Sequence, residues 1–181
     1  MKILLGIVIA IVSLIILSQV IRFAFSSCLN AQKGCKEEIL RGGRNAPVKA
    51  LIVYQPGMTG FSGNIAHQIA AGLNDRGYEV TLNHPGNYLP SDVSQYALAV
   101  FCSPVYSGQP SRALTDFMSS IKTSPSCRIV LISTGGFKYY MELDAMEKSL
   151  RGKTAYKKVK FFTSESNNDK TAYDLGLELS K

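Results

Sequence analysis

The chain has 181 residues, 46% of them hydrophobic and 18% charged, enough for one domain with a sizeable core and too few for a second full domain. It holds no low-complexity segment and no repeat, which excludes disordered and solenoid classes. The net charge is +7, but residues 1–47 carry six Lys or Arg against two Glu, leaving residues 48–181 with fourteen against eleven Asp or Glu. That surplus of +3 is mild. The densest cluster, Arg151 to Lys160, reads as a solvated helix end, loop and strand, with no basic stripe interleaved with aromatics, so no nucleic-acid partner is expected.

The first element is an uncharged run from Ile3 to Ile21, about the length that crosses a bilayer core as a helix. It exceeds the apolar part of a cleavable signal peptide, Arg22 follows it directly, and Ser13, Ser18 and Gln19 are too few to form the polar stripe of a core helix. These features predict a single-pass membrane anchor within residues 1–24. The stretch Phe25 to Cys28 also resembles, loosely, a lipoprotein processing site. Lys2 precedes the run, whereas Arg22, Lys33, Lys36, Arg41 and Arg44 follow it, so the positive-inside bias predicts a soluble domain on the cytoplasmic side. Residues 25–47 read as a tether, in which "RGGRNAP" ends any helix begun around "CKEEIL".

From Val48 onward the pattern alternates. The stretches "VKALIVY" (48–54), "YEVTLN" (78–83), "ALAVFCS" (97–103), "RIVLIS" (128–133) and "KVKFFT" (158–163) are short, apolar and rich in β-branched or aromatic residues, and they predict five strands. Helical spacing links Ile65, Ile69 and Leu73, then Leu114, Phe117, Met118 and Ile121, then Leu143, Met146 and Leu150, and "AYDLGLELSK" closes the chain. Pro110 suits the start of the second of these helices. The segment "HPGNYLPSDVSQY" holds at most a short helix. Such alternation predicts an α/β domain over 48–181 with a mainly parallel, doubly wound sheet, whose ligands bind beyond the carboxyl ends of the strands.

Cysteine and histidine usage is uninformative about metals. Cys28 and Cys35 lack the second pair a zinc site needs, although a disulfide between them is open. Cys102 and Cys127 adjoin strands, where a free thiol packs as a small apolar group. His67 and His84 stand alone, and no metal is expected.

Three loops carry the chemistry. "QPGMTGFSGN" joins the first predicted strand to the first predicted helix, where successive backbone N–H groups and the positive helix end suit a phosphate. Gly57 and Gly60 let the backbone turn and approach closely, and Thr59 and Ser62 add hydroxyl donors. The loop has no lysine, so it is not a Walker-type P-loop, nor is it G-x-G-x-x-G. A strand-to-helix turn without a ligand is the bland alternative. In "CSPVYSGQPS" (102–111), Tyr106 is either held flat against a ligand or caps the sheet edge. "STGGFKYY" (133–140) again combines glycines with aromatics.

Three such loops on one edge of a five-stranded sheet resemble the flavodoxin family over residues 48–181. "GMTGFS" is similar to the family's T/S-x-T-G-x-T phosphate loop, with Thr59, Gly60 and Ser62 on its key positions. "CSPVYSG" is similar to "GSPVYGG", which puts Tyr106 where an aromatic stacks on the isoalloxazine, and "TGG" at Thr134 to Gly136 looks like the third flavin loop. The resemblance implies an FMN site built from Gly57, Met58, Thr59, Gly60, Phe61 and Ser62, from Pro104, Val105, Tyr106, Ser107 and Gly108, and from Thr134, Gly135, Gly136, Phe137 and Tyr139. Phe61 stands where Asn is usual and Ser107 where Gly is frequent. The expected function is that of a membrane-tethered electron carrier, with a redox protein or a quinone as partner and no catalytic side chain of its own. An FMN-dependent NAD(P)H or quinone reductase, and a flavin-free binding module of the same fold, are the alternatives.

Overall fold

The structure, a computed structural model, describes residues 2–43, 48–136 and 140–181; the side chains at 2–5, 22, 25, 26 and 28–30 also lie outside the description. The chain divides into two compact units, Met1–Ala31 and Gln32–Lys181. The first is a single helix, α1 (Lys2–Asn30). The expected membrane span over residues 3–21, and with it the single-pass placement of a cytoplasmic domain, is corrected here. Among the described residues no helix is long and apolar enough to cross a membrane.

The second unit is a seven-stranded sheet between two helical layers. Its strands are β1 (Glu38–Leu40), β2 (Lys49–Tyr54), β3 (Glu79–Asn83), β4 (Leu98–Tyr106), β5 (Gln109–Pro110), β6 (Arg128–Gly135) and β7 (Lys157–Phe162). Its helices are α2 (Phe61–Asp75), α3 (Arg112–Ser120), α4 (Met141–Ser149) and α5 (Asn168–Leu179). The strand order is β1-β3-β2-β4-β6-β7, with β5 paired to β4 alone. The run from β3 through β7 is parallel, whereas β1 and β5 pair antiparallel.

Alternation along the strands splits the core in two. Ile52, Val100, Cys102 and Ile132 face one way, packing with Ile65, Ile69 and Leu73 of α2 and Leu175 of α5. Val53, Phe101 and Leu131 face the other way, against Leu114 and Met118 of α3 and Leu143 and Met146 of α4. A central strand covered on both faces is apolar at every position, which is why these runs lack polar alternation.

The sheet departs from the five strands expected in two places. The segment read as tether supplies β1, whose register sets Glu38 opposite Leu82 and Leu40 opposite Val80. Pro110 does not start a helix; it pairs with Val105 in β5, and α3 begins at Arg112. Both extra strands are edge pieces of three and two residues, too short to show periodicity. Cys35, Cys102 and Cys127 are free, and the side chain of Cys28 lies outside the described residues.

The topology places a crevice. From β2 the chain moves to β3 on one side and then to β4 on the other, so the order reverses between the carboxyl ends of β2 and β4. Residues 33–38 are tied across the same end of β3. Asn83 Oδ1 accepts from the Lys36 N–H at 3.0 Å, His84 Nδ1 lies 3.2 Å from the Gly34 carbonyl, and His67 Nε2 lies 3.1 Å from Glu38. The Tyr54 ring stands edge-on to both imidazoles.

Two outcomes follow from this packing. A Cβ on Gly72 would lie 2.3 Å from the Tyr173 carbonyl oxygen and one on Gly176 2.3 Å from that of Ile69, so the crossing of α2 and α5 has no room for side chains. Gly72→Ala should lower stability by about 1–3 kcal/mol, as overpacking does, read from urea unfolding. Second, burial, the largest cause, holds His84 below its ordinary value of 6.5; Lys36, Lys33 and His67 add to the fall and the Gly34 carbonyl opposes it. The unfolded chain then takes up this proton first, so the His84 contribution is complete above pH 6.5 and is lost as pH falls below it. His84→Gln should flatten the decline in urea midpoint between pH 7.5 and pH 5; an unchanged slope counts against this assignment.

Candidate functional site

The first loop is anchored at both ends. The Gln55 N–H donates to the Cys102 carbonyl at 3.0 Å, which extends the β2–β4 ladder to the start of the loop. At the other end the Ser62 hydroxyl is buried and lies 2.6 Å from that of Thr134, which in turn donates to the Ser103 carbonyl at 3.5 Å. Between these anchors the chain turns through Gly60, whose φ of 73° is left-handed and therefore favours glycine. Gly60 is also the N-cap of α2, and no side chain caps it. Met58, Thr59 and Gly60 are exposed.

Tyr106 reaches this loop from β4. Its hydroxyl accepts the Met58 backbone N–H at 3.0 Å, and a Cβ on Gly57 would sit 3.4 Å from the same oxygen and 3.5 Å from Pro104. Beyond Tyr106 the chain reverses through Ser107 (φ 51°) and Gly108 (φ 75°), then pairs Gln109 with Tyr106 in β5. Positive φ at both central residues is what a two-residue type I′ hairpin requires. In the third loop a Cβ on Gly135 would contact Val105 at 3.5 Å, and one on Gly136 would contact the Thr163 hydroxyl at 3.6 Å.

Two cavities open on this edge. One, of about 410 Å³, is lined by Thr59, Gly60, Phe61, Asn64 and Thr163 at the start of α2. The other, of about 480 Å³, is lined by Val105, Tyr106, Ser107, Gly108, Gly135, Gly136, Glu142 and Lys160. The expected residues therefore separate into groups. Thr59, Gly60 and Phe61 line the first cavity, and six of the others line the second. Gly57 and Met58 adjoin the Tyr106 hydroxyl, Pro104 lies beside Gly57, and Ser62 and Thr134 bond to each other. Phe137 and Tyr139 lie outside the described residues. Glu142 and Lys160 were missed by the sequence reading. The available signal was Lys160, a charge amid the apolar strand "KVKFFT". Among the described residues no three His, Cys, Asp or Glu side chains gather as metal ligands.

No protein-family model matches the chain, and no curated protein sequence matches it. Solved structures do. A flavodoxin from Streptococcus pneumonia TIGR4 superposes with a TM-score of 0.59 at 17% identity, over 74% of this chain and 99% of that one. Two-electron reduced flavodoxin from Megasphaera elsdenii gives 0.56 at 16% identity, over 71% and 98%. A flavodiiron core from Synechocystis gives 0.56 at 16% identity over 75% of this chain, which spans only 36% of the length of that protein. At these identities the likeness establishes the fold, which is flavodoxin-like.

The Ser62–Thr134 contact makes a stability prediction separate from any ligand. Ser62→Ala leaves the buried Thr134 hydroxyl with only the long contact to Ser103 and should cost about 1–3 kcal/mol. The half-exposed Ser119→Ala, which loses one local bond to Asp116, serves as control and should change the urea midpoint little.

Proposed function

We propose that the protein binds FMN noncovalently and carries electrons, exchanging them with a redox protein or a quinone. The observation that carries this reading is the pair of cavities at the strand-order reversal. One lies at the uncapped amino end of α2, and the other between the Ser107–Gly108 hairpin and Gly135–Gly136. The neighbours named flavodoxin share the fold and support the same reading.

The residues present fit the group. The exposed Thr59 hydroxyl and the backbone N–H groups of Thr59 and Phe61, at the positive end of a 15-residue helix, suit a terminal phosphate. The first turn of α2 has no acidic side chain to oppose it. Side chains at Gly135 and Gly136 would fill the space beside Val105 and Thr163, so glycine there keeps the second cavity open for a flat ring. A buried carboxylate oxygen of Glu142 has no hydrogen-bond partner among the described residues and belongs to a residue of the cavity wall. When bound, the flavin supplies the electron transfer; the protein supplies orientation and field.

Within that division of labour each side chain has a task. Thr59, exposed on the first cavity, would donate to the phosphate. Tyr106 accepts the Met58 N–H, which holds the β4 loop against the first loop and leaves its own proton to donate. Ser62 takes no direct part: its hydroxyl is spent on Thr134, and it acts by fixing the loop.

Equilibrium titration of the purified full chain tests the reading. FMN should bind with a yellow colour and quenched fluorescence, and riboflavin, which lacks the phosphate, should bind at least about tenfold more weakly, the value of one charge-assisted hydrogen bond. Thr59→Ala should narrow that difference. Absent FMN binding, or equal affinity for riboflavin, would overturn the proposal.

A further inference from the structure

Under the second cavity lies a buried charge pair that the flavin reading leaves without a role. The Lys160 ammonium contacts Glu142 Oε1, and the two side chains are 2% and 0% exposed. The Ser133 hydroxyl donates to the same oxygen at 3.0 Å, and Glu142 Oε2 has no hydrogen-bond partner among the described residues. The ammonium also lies 5.7 Å from the ring centroids of Tyr140 and Phe162. Both charged residues belong to the wall of the 480 Å³ cavity, beside Gly135, Gly136 and Tyr106.

Stability alone is a poor explanation for such a pair. Desolvating two charges costs about as much as their attraction returns, and a well-packed apolar pair would serve the fold as well. The surface alternatives are close at hand: Lys158, two residues earlier on β7, pairs with Asp144 and Glu147 of α4 near solvent. What a buried pair does provide is a fixed field in a region of low dielectric, where each charge acts strongly on anything bound beside it.

Resting on the FMN reading, we propose that Glu142 and Lys160 set the reduction potential of the ring bound in this cavity. Two electrons and one proton, supplied in the test by dithionite and solvent, add one negative charge over the pair. Lys160 favours that charge. Glu142 opposes it and holds Lys160 in register, so that these two charges offset each other before reduction.

The two charges therefore have opposite effects, which a merely structural pair would not. The measurement is the ratio of dissociation constants for reduced and oxidised FMN, obtained from redox titration of the full chain. Glu142→Gln should tighten reduced FMN relative to oxidised by tenfold or more, a positive shift of about 30 mV for a two-electron couple. Lys160→Met should move the ratio tenfold or more the other way. The double variant, with neither charge, should fall between the two. Because a single variant can fail to fold, the wild-type protein is also measured directly: the carboxyl carbon resonance of Glu142 should shift when bound FMN is reduced. Shifts of the same sign in the two single variants, an unmoved ratio, or an unmoved Glu142 resonance, with FMN bound to wild type, overturn this proposal and leave the flavin reading standing. A wild-type chain that binds no FMN overturns both.

Discussion

The buried contact between the hydroxyls of Ser62 and Thr134 is what the geometry of the candidate site rests on. It joins the first turn of α2 to the end of β6, and Thr134 continues to the carbonyl of Ser103 on β4, the strand between β2 and β6. With no water competing for these groups, the contact holds the helix start against two strand ends. The loop between Gln55 and Ser62 is then pinned at both ends and, through Tyr106, at its middle.

Among the helices whose amino ends lie on the carboxyl side of the sheet, α2 and α4 are used differently. The first turn of α4 carries Glu142 and Asp144, so its positive end is already met by the protein's own carboxylates. The first turn of α2 carries none and begins at a glycine without a side-chain cap. The contrast follows from sequence alone, "FSGN" against "MELD", and gives the edge an electrostatic polarity. One helix start has no carboxylate in its first turn, and the other carries one member of a compensated pair of charges.

The elements legible in the sequence were those with room to display a period. The five longer strands and the helices of residues 61–181 came from apolar runs and four-residue spacings, because each buries a face along most of its length. β1 and β5 were not legible, since Glu38-Ile39-Leu40 and Gln109-Pro110 are held by the partner strand and contain no pattern of their own. The turns at Gly57 to Gly60 and at Ser107-Gly108 were legible, because glycines and prolines mark turns whatever the turn does, but β4 runs on to Tyr106 and β6 to Gly135, into segments expected as loops. The contacts these segments make were not legible. Ser62 and Thr134 lie 72 residues apart, and Glu142 and Lys160 lie 18 apart on different elements, so no local spacing could join them. The Ser62 hydroxyl, expected from the sequence as a donor in the first loop, lies buried 2.6 Å from that of Thr134.

The same separation explains how a fold can be shared at 16–17% identity. A doubly covered parallel sheet asks only for aliphatic residues facing alternate ways, and Ile, Val and Leu meet that demand interchangeably. What differs between proteins sharing such a fold is concentrated at strand and helix ends and in loops, where single residues carry special geometry. Ser107 is such a residue. With φ at 51° it occupies a conformation that costs a non-glycine residue on the order of 1–2 kcal/mol, and it does so on the wall of the larger cavity. The pairing of Tyr106 with Gln109 and of Val105 with Pro110 holds the turn in that state, so the strain is maintained by the hairpin around it. The edge strand too short to be read from the sequence is therefore what keeps the cavity wall in place.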